Sequence, residues 1–106
     1  MATIDWNLIE KQTATLAETL LNGFVKQAVN DARDFKQRAE KQIAEWLVDL
    51  AKGDITRKNF ASLVRGERDL AEMHLLKQEG LSKVTLDTFT GGFIEIVLNA
   101  ALAAIP

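Results

Sequence analysis

The chain has 106 residues, 47% of them hydrophobic and 26% charged, with a single proline, no cysteine and a formal net charge of −2. That size suits one all-helical domain over residues 1–106 with a real core, and no tract has the composition of a disordered linker. The lack of cysteine excludes disulfides, thiolate metal sites and thiol nucleophiles, and a near-neutral charge gives no long-range attraction to nucleic acid or anionic membranes.

Asp5 is placed to cap a first helix, and behind it Trp6, Leu8, Ile9, Leu16, Leu20 and Leu21 recur at helical spacing. Met1 to Asn7 lacks the basic stretch and apolar run of a secretory signal, so the cytoplasm is the expected compartment. From Ala17 onward the pattern tightens. Ala17, Leu21, Phe24, Ala28, Ala32, Phe35, Ala39, Ile43, Trp46 and Leu50 follow a four, three, four spacing. That is an eleven-residue rhythm of about 3.67 residues per turn, which holds one apolar stripe along a nearly straight helix. Large and small residues alternate on the stripe, so partner helices can approach at the alanines and interlock with the aromatics.

Asn22-Gly23 and Asn30-Asp31 are possible interruptions, since Asn and Gly tolerate the left-handed backbone and Asp31 can cap a new helix. The stripe nevertheless keeps register through both. The sequence therefore predicts one continuous helix from about Asp5 to Ala51, with Lys52 in its last turn and Gly53 as the residue that ends it.

Thr56 reads as the next cap, with Ile55 before it and Phe60 after it able to close a hydrophobic staple. A helix from here to about Glu79, ended by Gly80, is expected. Ser82 repeats the signal between Leu81 and Leu86, and a last helix should run from about Lys83 to Ala104 through Gly91-Gly92, where it bends or meets another backbone closely.

Chemistry-bearing residues are few. On the expected helix after Thr56, Glu67 and His74 fall near the middle of a face shared with Phe60, Leu63, Val64, Leu70 and Ala71, and Gln78 lies a turn further on. A carboxylate and an imidazole inside an apolar stripe suit acid/base chemistry, a ligand or a metal, or equally a pair of satisfied polar groups that set register between subunits. Their separation of roughly 10 Å along one helix is too long for direct contact. His74 is the one histidine, no Glu-x-x-His pair exists, and nucleophile-elbow, dinucleotide and P-loop signatures are missing. The run Thr88-Phe89-Thr90-Gly91-Gly92 has no lysine after it to serve a phosphate. Arg57, Lys58, Arg65 and Arg68 share their region with Asp69 and Glu72 and have no interleaved aromatics, a solvated surface more than a nucleic-acid face. Phe93 to Ile105 is apolar apart from Glu95 and Asn99, too short to span a bilayer and suited to a core.

The expected architecture is all-α and bundle-like: a long N-terminal helix of roughly 70 Å and an antiparallel helical hairpin, completed by a second subunit. Two helices of roughly 35 Å cannot cover the long one. The self-association seam left open consists of Ile9, Leu16, Leu20, Leu21, Phe24 and Ala28. A break at Asn22-Gly23 or Asn30-Asp31 leads instead to a monomeric four-helix bundle. The expected function is a non-enzymatic interaction or assembly protein forming a homodimer or higher homo-oligomer and presenting a helical surface to a protein partner. No cofactor, metal, nucleic acid or membrane is expected. The alternative is a small ligand- or metal-binding bundle built on Glu67 and His74.

Overall fold

Residues 3–105 are described by a computed structural model, and among them the secondary structure is all helical: α1 (Trp6–Leu21), α2 (Val25–Lys52), α3 (Arg57–Gly66), a 3-10 turn (Glu67–Leu70), α4 (His74–Lys77) and α5 (Lys83–Ala103). The chain spans 43 × 22 × 21 Å with a radius of gyration of 13.7 Å. The capping signals act where the sequence puts them. The Asp5 carboxylate accepts from the Leu8 N–H at 3.0 Å, and the Ser82 hydroxyl accepts from the Thr85 N–H at 3.1 Å. At Thr56 a reciprocal box forms, with the hydroxyl accepting from the Asn59 N–H and Asn59 Oδ1 accepting from the Thr56 N–H.

The continuous first helix is not formed. Asn22, Gly23 and Phe24 have φ of 55°, 139° and 56°, and this three-residue turn folds α1 back along α2. The pairs Glu10–Arg33 and Trp6–Phe35 show the antiparallel alignment. Asn and Gly accept positive φ readily, whereas phenylalanine in that region is strained by about 1–3 kcal/mol. Folding back encloses Ile9, Thr13, Ala17 and Leu21 between α2 and α5. Enclosing a large aliphatic side chain is worth about 1.5–3 kcal/mol, so Ile9 and Leu21 together outweigh the strain at Phe24. Local register favoured a straight helix, and tertiary burial overrides it.

The helix expected to run to Glu79 is also interrupted. α3 stops at Gly66, the chain continues through the 3-10 turn, and Met73 adopts φ 50° before the single turn of α4. An unbroken helix would have carried Glu67 and His74 into the apolar face together. The irregular path instead buries Ala71, Met73 and Leu76 and leaves His74 exposed. Gly66, a poor helix former, lies at the change of direction.

Around α5 the bundle closes. This helix packs on α1 and α3, while α2 packs on α1, α3 and α4. Phe35 meets Phe93 edge to face at 5.2 Å between ring centroids, joining α2 to α5, and Trp6 sits against the same Phe35. The α1 seam comes close at Gly92, where an added Cβ would stand 2.9 Å from Leu16 Cδ2. Length and composition alone would let α5 cross a membrane. Here its Phe89, Phe93, Val97 and Ala101 are fully enclosed by the other helices. The buried hydroxyls of Thr13 and Thr90 donate to the carbonyls of Ile9 and Leu86, four residues back in each case.

Candidate functional site

The apolar seam divides between core and surface. Ile9, Leu21 and Ala28 belong to the chain's own core, and so do Ala17, Ala32, Phe35, Ala39 and Ile43. Leu16 and Phe24 are half-buried. Leu20 remains 39% exposed and Leu8 40%, both on α1. The turn end of α1 thus carries an exposed leucine, Leu20, next to a partly uncovered aromatic in a left-handed backbone, Phe24. With the helix broken, the argument from an uncovered helix of roughly 70 Å no longer applies, and what α1 leaves in water is a shorter edge.

The polar candidates are parted by the break after α3. Glu67 opens the 3-10 turn and is half-buried, and burial raises its carboxyl above the ordinary carboxylate range. His74 begins α4 and is exposed, and Gln78 follows α4 in the open. Among the described residues, no hydrogen bond or ion pair joins Glu67, His74 and Gln78 to one another. No group of three or more His, Asp or Glu there is arranged to hold a metal ion.

His74 meets different partners, which the sequence did not single out together. Its Nε2 pairs with the Glu72 carboxylate, and Arg38 of α2 bridges Glu72 at 3.1 Å and Asp34 at 3.3 Å. The hydrogen bond from Arg38 holds the Glu72 carboxyl below the usual range, helped by the charges of Arg38, His74 and Lys77. One turn away lies Asp31, only 5% exposed, whose two oxygens accept from the Leu75 and Leu76 N–H groups at 3.0 Å each. Asp31 caps α4 from another helix. Asn30-Asp31 looked in sequence like a place to start a helix, and the aspartate does cap one, forty-odd residues along the chain. The signal that could have found it is a lone acid on an otherwise apolar face, between Ala28 and Ala32.

Beside this cluster a cleft of about 430 Å³ opens between the Arg68–Met73 stretch and the start of α5, with Leu81 and Leu86 on its walls. Arg68 closes one side by donating to the Asp87 carbonyl at 2.7 Å. Three cations, Arg68, Lys77 and Lys83, face three carboxylates, Asp69, Glu72 and Asp87, so charge selects no ligand class. Of the basic residues noted in sequence, Arg65 is similarly engaged, forming a two-pronged pair with Glu95 at 2.9 and 2.8 Å. The arrangement ties α3 to α5 and α4 to α2.

Comparison with protein-family models, with curated proteins and with solved structures finds no match.

Proposed function

We propose that this is a non-enzymatic helical interaction protein that self-associates and presents a helical surface to a protein partner. The observation that carries the reading is the turn-end edge of α1, where Leu20 stands 39% exposed with Leu16 and Phe24 only half covered; Leu8, 40% exposed, lies toward the other end of the helix. A second helical surface laid along this edge removes apolar area from water at about 25 cal/mol per Å². The polar groups support the same reading, because Arg38, Glu72, His74 and Asp31 pair with one another or with backbone and brace the fold.

Light scattering over a concentration series tests it, on wild type and on Leu20→Asp. The expected result is a mass that rises toward twice the monomer for wild type, and a monomer with unchanged helicity for Leu20→Asp. A wild type that stays monomeric throughout the series refutes self-association.

A further inference from the structure

The turn between α1 and α2 unites two facts that conflict. The stripe Ala17, Leu21, Phe24 and Ala28 runs in unbroken helical register across it, yet Asn22, Gly23 and Phe24 all hold positive φ there. At the residue preceding α2, Phe24 contributes no side-chain cap hydrogen bond, and its ring is only half covered against the core. Such a segment has a second acceptable state: the right-handed helix that its own pattern specifies.

We propose that the chain forms a domain-swapped dimer in which the 22–24 turn straightens, α1 and α2 become one helix, and each α1 takes its place on a second copy. The proposal rests on the self-association proposed above and names its mode. Everything that holds α1 is available from the second copy. Glu10 to Arg33, Trp6 against Phe35, Leu16 against Gly92, and the enclosed Ile9, Thr13, Ala17 and Leu21 are all contacts of side chains or helix faces. They form identically whichever chain supplies α1. Two straightened helices lie antiparallel, with their 22–24 segments crossing at the twofold axis. Leu20 and Phe24, partly in water in the single chain, then come to the crossing. The swap therefore keeps the old interface, releases Phe24 from its left-handed backbone and covers the apolar residues nearest the turn. What covers Leu20 and Phe24 is thus a second copy of this chain.

The turn residues set the balance. At Gly23, φ is 139° and an added Cβ would meet no atom within 4 Å, so Gly23→Ala disfavours the closed turn through its backbone alone. That variant should raise the dimer fraction severalfold. Phe24→Gly, which suits positive φ and weakens a continuous helix, should lower it by a similar factor.

The decisive experiment exploits a chain without cysteine. Glu10→Cys and Arg33→Cys are introduced together at the surface pair 2.8 Å apart. Monomer and dimer pools, prepared at low and high protein concentration after mild heating and cooling, are treated with a short bis-maleimide and run on a denaturing gel. Two-chain products from the dimer pool and single-chain products from the monomer pool are expected. A dimer pool giving only single-chain products overturns the swap and leaves self-association standing. No dimer in wild type or in Gly23→Ala overturns both. An unchanged dimer fraction in both turn variants overturns the swap on independent grounds, with circular dichroism reporting that each is folded.

Discussion

Replacing Asp31 with alanine tests how α4 is held. In the folded chain this carboxylate is 5% exposed and accepts from the Leu75 and Leu76 N–H groups, each at 3.0 Å. Losing a capping side chain costs about 0.5–2 kcal/mol. The Leu76 N–H is in addition left buried without a partner, which costs about 1–3 kcal/mol. Allowing for overlap between those two effects, Asp31→Ala should destabilise the fold by about 2–4 kcal/mol. Domains of this size shift by about 4–8 °C per kcal/mol, so the Tm should fall by about 8–32 °C. Urea unfolding followed by circular dichroism measures the change, and an m-value equal to that of wild type shows that the unfolding surface is the same. Amide exchange at Leu75 and Leu76 should quicken more than exchange in α5. Asp31→Asn keeps one acceptor oxygen and should lose roughly half as much. A change below about 0.5 kcal/mol for Asp31→Ala, the level of an ordinary surface substitution, would refute the capping role.

Gly91→Ala should stabilise the chain by about 0.5–1 kcal/mol, because a Cβ there meets only the Arg68 guanidinium at 3.8 Å and the helix gains propensity; a lower urea midpoint would contradict this. Glu67→Gln should behave differently with pH. Burial raises the folded-state carboxyl of Glu67, so its contribution to stability is full below the unfolded pKa and declines as pH rises through the raised folded value. The glutamine variant should accordingly be more stable than wild type at neutral pH, with the advantage vanishing below the ordinary glutamate value of about 4.3; thermal melts across the range check the sign. Phe93→Ala removes a fully enclosed ring stacked edge to face on Phe35 and should cost about 3–5 kcal/mol, enough to unfold much of the population on warming. Thr56→Ala breaks the capping box at the start of α3 and should cost about 1 kcal/mol in the same melts.

Several elements were legible because their signals are local. Asp5, Thr56 and Ser82 cap where their side chains reach the backbone three residues on, and Gly53 ends α2 at φ 82°. The stripe from Ala28 to Ile43 lies in the core because a helix of that periodicity has one face to bury. What escaped were decisions made by distant partners. Nothing near Asn22-Gly23 states that α5 stands ready to enclose α1, so the register argument pointed to a straight helix. Nor does the stretch after Gly66 record that Asp31 will draw the Leu75 and Leu76 N–H groups toward α2. That one long-range cap accompanies an irregular path in which Met73, not His74, turns inward. Glu67 and His74 were paired in sequence by a helical wheel whose helix stops at Gly66.

Whether α1 and α2 are one helix folded in two is settled most directly by a distance. Spin labels at Asn7→Cys and Lys41→Cys, both exposed positions, are placed on one chain and diluted into an excess of unlabelled chain. In the closed hairpin the labels sit on adjacent helices, whose axes are about 8–10 Å apart, and a separation near 20 Å is expected once label length is added. In the swapped dimer the same two positions lie on one straight helix, about 50 Å apart at 1.5 Å per residue. The monomer fraction should give the short distance and the dimer fraction the long one. A dimer fraction that keeps the short distance contradicts the swap and shows that the 22–24 turn stays closed when two chains meet.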